Sequence, residues 1–169
     1  KETKDRLIEK SSKNAEIIRP ILRGRDIKRY KADFADLWII NSHNGYGNLP
    51  AVNIEDYPDI KAHLDCYLND LQKRQDKGIT PYNLRSCIYM EDFSKQKIIY
   101  PNMTKSLPFF LDVDGYMVNQ KCFIVTGNNI GFLSAFFNSS LFKFCFRDNF
   151  PELFGNTREL SKIFFDRIP

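Results

Sequence analysis

The densest chemistry in the sequence lies between Arg19 and Lys31, where six basic residues (Arg19, Arg23, Arg25, Lys28, Arg29 and Lys31) face one acid, Asp26. Cations at that density can neutralise phosphates, and Gly24 allows a close approach to an anionic backbone. The same charges would also suit a solvated loop or a surface docked on a neighbouring domain. Asp26-Ile27-Lys28 and Asp59-Ile60-Lys61 match by count the Asp/Glu-x-Lys triplet that places carboxylates and a lysine around a nuclease metal. Triplets this short arise by chance, and Ile60 faces inward from a helix, so neither is read as a nuclease centre. His43-Asn44 is better explained as part of an Asn/Gly-rich turn than as a nucleophile or base. Cys66, Cys87, Cys122 and Cys145 contain no C-x-x-C pair and read as reduced packing residues. No G-x-x-x-x-G-K-[ST] cradle, G-x-S-x-G elbow, Gly-rich methyl-donor turn or Asn-Pro-Pro-aromatic run occurs. No catalytic residue and no metal site are expected.

Several elements must position these residues. Residues 1–15 read as a tail or frayed helix at the end of an upstream linker, and 16–169 as one domain. Phe34 to Ile40 is aromatic and β-branched enough for a strand, followed by loop chemistry from Asn41 to Gly47. Asp56-Tyr57-Pro58 opens a helix in which Ile60, Leu64, Tyr67, Leu68 and Leu71 recur at helical spacing, with Gly78 stopping the run. Lys97–Tyr100, Pro108–Asp112, Tyr116–Val118 and Lys121–Thr126 read as short strands, and Asp114-Gly115 as a hairpin turn. From Ile130 the pattern is helical, interrupted at Asn138-Ser139-Ser140. Eleven of the 15 Phe fall after residue 120, a concentration that suits a core better than a base-stacking platform.

With 169 residues the chain can bury one real core, and its net charge of +4 names no anionic partner by itself. No apolar run reaches membrane-spanning length and no leader precedes Lys1, so a soluble, cytoplasmic protein without membrane partners is expected. The abrupt ends suggest one part of something longer.

The segment Arg19-Pro20-Ile21-Leu22-Arg23-Gly24-Arg25-Asp26-Ile27-Lys28-Arg29-Tyr30 resembles the opening motif of the TaqI-like C-terminal specificity domains, the target-recognition domains of N6-adenine DNA methyltransferases and type II restriction-modification enzymes. The resemblance continues in order. It takes in Trp38-Ile39-Ile40, Tyr57-Pro58-Asp59-Ile60 with Leu64 and Leu71, and Gly78 with Tyr82, Leu84 and Arg85. Lys97-Ile98-Ile99-Tyr100-Pro101, Phe132 to Ser139 and the closing Ile168-Pro169 follow. Tyr82 stands where many members have Trp, and that difference leaves the packing role intact.

The resemblance implies an α+β fold, a single domain with a mixed or mostly antiparallel sheet packed by two main helical segments. It also implies sequence-specific binding of double-stranded DNA, beside a methyltransferase domain upstream in the same chain. This fragment would then be no enzyme and hold no cofactor. S-adenosylmethionine, and Mg2+ if a nuclease domain exists, would belong to the other domains. Candidate DNA-binding residues are Arg23, Arg25, Lys28, Arg29, Asn44, Arg85, Asn102, Lys105, Asn128 and Asn129, since Arg pairs with guanine and Asn with adenine while any cation can meet phosphate. The rival readings are the recognition half of a type I-like specificity subunit, a small metal-dependent nuclease or hydrolase using His43 with Asp36 or Asp59, and an RNA- or protein-binding module.

Overall fold

A computed structural model describes residues 1–168, so Pro169, which closes the family-like segment, lies outside the described residues. In chain order the elements are α1 (Glu2–Lys10), β1 (Ile18–Leu22), β2 (Ile27–Lys28), β3 (Lys31–Ala32), β4 (Trp38–Ile40), α2 (Pro58–Asp65), α3 (Leu68–Lys73), β5 (Lys97–Pro101), β6 (Met103–Thr104), β7 (Phe110–Asp112), β8 (Met117–Val118), β9 (Cys122–Val125), α4 (Ile130–Phe137), α5 (Ser140–Phe146), β10 (Arg158–Glu159) and α6 (Lys162–Phe165). The fold is α+β and its strand pairing is mostly antiparallel, as the sequence implies. The chain groups into two compact units, Lys1–Pro20 with Trp38–Met90, and Ile21–Leu37 with Glu91–Pro169. No helix among the described residues is long and apolar enough to cross a membrane.

In the first unit, Ile18, Arg19 and Pro20 pair antiparallel with Ile40, Ile39 and Trp38. Leu7, Ile17, Ile18, Ile54 and Ile60 form the core. The segment expected as a tail or frayed helix is α1, anchored by Leu7, and buried Asn14 donates from Nδ2 to Leu7 O at 2.8 Å. The long helix expected from Asp56 to Lys77 divides into α2 and α3 at Cys66-Tyr67, where Tyr67 adopts φ −116° and ψ 12°. Burial explains the break: Ile60 is buried in α2, whereas α3 buries no residue that would hold the two in register. Gly78 does not cap the helix. A Cβ there would collide with the side chain of Asn44, so glycine is needed for close approach to the 43–47 loop.

In the second unit, β5 is central between antiparallel β7 and β9. Its five residues Lys97-Ile98-Ile99-Tyr100-Pro101 are all buried, which suits the apolar run that follows Lys97. Ile98, Tyr100, Phe109, Phe137, Phe142, Phe150 and Leu160 pack on one side of this sheet, with Phe109 to Phe137 ring centroids 5.2 Å apart. Phe132, Phe144 and Phe154 remain exposed. Lys97, the one charge in β5, meets its cross-strand neighbour Asp112, both fully buried. Lys97 Nζ donates to Asp112 Oδ2 at 2.5 Å and to Phe93 O at 2.6 Å. The Asp112 carboxylate also accepts from Asp114 N and Tyr116 N, both at 2.9 Å.

That carboxylate corrects the hairpin expectation at Asp114-Gly115. The turn forms, with Gly115 at φ 75°, but β7 and β8 do not pair. Met117 and Val118 instead run parallel to Ile21 and Leu22. Asp112 binds the amides on the far side of the turn, and the chain leaves the β5 sheet. The cysteines are all free thiols, and only Cys122 is buried, so the packing role expected of four falls to one.

Candidate nucleic-acid interface

Leu22 is completely buried at the end of β1, and the chain then turns sharply through Arg23–Asp26. The turn is closed by Asp26, itself 5% exposed. Its carboxylate accepts from Arg23 N at 2.9 Å, Arg23 Nε at 2.9 Å and Arg23 Nη2 at 2.8 Å. These hydrogen bonds hold the Asp26 carboxyl below its ordinary range and raise the Arg23 guanidinium correspondingly. Ile27 anchors the next residue in the core. Lys28 Nζ donates to Arg25 O at 2.7 Å, bracing the turn from outside.

Two further segments of the same unit face this turn. One is Pro101–Pro108, which passes through β6 and then Leu107, a buried residue at φ 48°. The other is the turn between β8 and β9, which carries Asn119 and Lys121. Gly24 lies so close to this second segment that a Cβ would stand 3.2 Å from Lys121 O and 3.4 Å from Pro101 Cβ. Together the three segments enclose an open cleft of about 560 Å³. Arg23, Arg25, Lys28 and Lys121 line it, as do Thr104, Ser106 and Asn119, and no carboxylate does among the described residues. Ile27, Pro101, Met103 and Pro108 add apolar lining.

The other sequence candidates are placed elsewhere. Arg29 donates from Nε and Nη2 to Asn138 O at 3.1 and 2.8 Å, closing the C-terminus of α4, and its guanidinium stacks on Tyr30. Lys105 is exposed between the cleft residues Thr104 and Ser106, while Asn102 Oδ1 is buried without a hydrogen-bond partner among the described residues. Asn128 and Asn129 are exposed before α4, Asn129 in the left-handed conformation at φ 55°. In the first unit, Asn44 is spent on Ser86 Oγ and Ile79 N, and Arg85 lies 3.7 Å from Asp76 with both exposed. Lys121, which sequence reading passed over, joins the cleft through the turn that presents it. A lone lysine after Asn119-Gln120 gives no signal of this.

The residues behind the nuclease and hydrolase rivals are engaged in other ways. Asp26 is committed to Arg23, and Asp59 lies beside Asn14 and Lys10. His43 Nδ1 accepts from Gly45 N at 3.2 Å, and burial lowers its pKa. Among the described residues no group of three or more His, Cys, Asp or Glu could hold a metal ion.

Residues 19–169 match the family model of the TaqI-like C-terminal specificity domain. The chain belongs to this family. No curated protein matches the chain. The TaqI-like specificity domains serve DNA sequence recognition in restriction-modification systems, and the match begins at Arg19, at the head of the segment that builds the cleft.

Proposed function

We propose that this TaqI-like domain binds double-stranded DNA through the Arg23–Lys121 cleft. It would select the sequence on which a separate methyltransferase domain of the same protein modifies adenine at N6, in the cytoplasm. The observation that carries this reading is the convergence of Arg25, Lys28 and Lys121, beside the Asp26-paired Arg23, in a cleft that no carboxylate lines among the described residues. A polyphosphate backbone fits such a wall, because each neutralised phosphate releases condensed counterions. Lys28 spends one proton on Arg25 O and keeps two for phosphate oxygens. The Thr104 hydroxyl accepts from Ser106 N at 3.2 Å and keeps its own proton to donate.

Among the described residues no group of three or more His, Cys, Asp or Glu could hold a metal ion, and the sequence has no methyl-donor turn. In this reading S-adenosylmethionine, and Mg2+ where a nuclease domain is fused, would belong to the other domains. The test is binding of labelled duplex DNA by the full-length protein, in competition with single- and double-stranded RNA. Retention of duplex DNA that RNA does not displace, weakened in Lys28→Ala/Lys121→Ala, is the expected result. Equal competition by RNA would overturn it.

A further inference from the structure

The arginines of the basic segment differ in what their guanidinium edges are doing. Arg29 is bound to Asn138 O and does not line the cleft. Arg25 lines the cleft and is exposed, and its guanidinium donates to no acceptor among the described residues. Arg23 is different from both. Its Nε and Nη2 form a side-on bidentate pair with Asp26, and its side chain is 27% exposed where it lines the cleft.

A guanidinium has two usable edges. Asp26 occupies the Nε/Nη2 edge and leaves the terminal Nη1/Nη2 fork, from which Nη1 donates to no acceptor among the described residues. That fork has the geometry to pair with two acceptors at once, and the guanine edge in the major groove presents O6 and N7. Rotation of the fork is already suppressed by the buried carboxylate, so little further ordering is needed on contact. The pair is also neutral as a unit, which removes it from the salt-dependent attraction for any phosphate while retaining its donors.

Resting on the DNA-binding reading above, we propose that Arg23 reads a guanine in the recognition sequence and that Asp26 is its positioning residue. Arg25, Lys28 and Lys121 then supply sequence-independent phosphate contacts. Affinity and specificity are thereby divided between neighbouring side chains of one turn.

The test uses the full-length protein and the site enriched by the wild type from a random duplex pool. Substituting 7-deazaguanine, which lacks only the N7 acceptor, at each guanine in turn should weaken wild-type binding sharply at one position. Arg23→Lys keeps the charge and loses the fork. It should lose roughly 5- to 150-fold in affinity for the site, show little change on random DNA, and become indifferent to 7-deazaguanine at that position. Asp26→Asn releases Arg23 as a net cation. It should steepen the salt dependence by about 0.9 and bind random DNA more tightly, while discriminating less at the same base pair. A wild-type protein insensitive to 7-deazaguanine at every position overturns the assignment without requiring any variant to fold. So does Arg23→Lys with unaltered sequence preference, or Asp26→Asn with an unchanged salt slope. Failure of the wild type to enrich any duplex would instead overturn the DNA-binding reading itself.

Discussion

Replacing Arg25, Lys28 and Lys121 together with alanine should flatten the salt dependence of duplex binding by an amount that can be stated in advance. These three cations line the cleft and form no ion pair among the described residues, whereas Arg23 is neutralised by Asp26 and Arg29 lies outside the lining, bound to Asn138 O. Each phosphate neutralised contributes about 0.9 to the slope of log affinity against log salt, so three contribute about 2.7. Between about 50 and 200 mM salt, a fourfold range, that difference corresponds to a roughly 40-fold divergence between wild type and variant. The effect is largest at low salt. Arg29→Ala should leave the slope nearly unchanged, although it has the same formal charge change as Lys28→Ala and sits one residue away. Fluorescence anisotropy titrations of a labelled duplex against the full-length protein, at four or more salt concentrations, measure both. An unaltered slope in the triple variant would refute the assignment of phosphates to the cleft. Equal slopes in Arg29→Ala and Lys28→Ala would show that charge count alone matters and that a place in the cleft does not.

Lys97→Met leaves the fully buried Asp112 without its countercharge and should cost about 3–5 kcal/mol in urea denaturation. Lys97→Met/Asp112→Asn should recover part of that loss, and strict additivity of the two changes would contradict a coupled pair. Because Asp26 has a folded pKa below its ordinary value, the stability it supplies through Arg23 is present above that value and lost as pH falls through the folded pKa. The urea midpoints of wild type and Arg23→Gln/Asp26→Asn should therefore differ at pH 6 and converge below about pH 4; a gap that widens on acidification would reverse the sign of the argument. Gly24→Ala should weaken duplex binding and cost about 1 kcal/mol in a thermal melt, since the new methyl would crowd Lys121 O at 3.2 Å. Burial pushes the Cys122 thiol up to about 12, so at pH 8 a thiol reagent should label exposed Cys66 and Cys145 at once and Cys122 only in denaturant, as read by peptide mass mapping.

Local patterns in the sequence determine the α+β class, the buried run Lys97–Pro101, the helical interruption at Asn138-Ser139 and the concentration of cations after Arg19. Each depends on residues within a few positions of one another, where spacing and propensity suffice. The Arg23–Asp26 pair also lies within that range, four residues that close one turn. Tertiary structure decided which groups each cation meets. Arg29 is separated from its acceptor on Asn138 by 109 positions, so its engagement there has no trace in its own segment. Lys121 enters the cleft because Gly24 permits close approach to its backbone. Asp114-Gly115 has the composition of a hairpin turn, yet the buried Lys97–Asp112 pair and the parallel partner offered by Ile21 and Leu22 send the two flanking strands to different neighbours. The turn chemistry is local, whereas strand pairing is a competition among every edge the chain brings within reach. A basic run announces that anions can be met, but which guanidinium is neutralised, which caps a helix and which stays free depends on carbonyls and carboxylates delivered by distant parts of the chain.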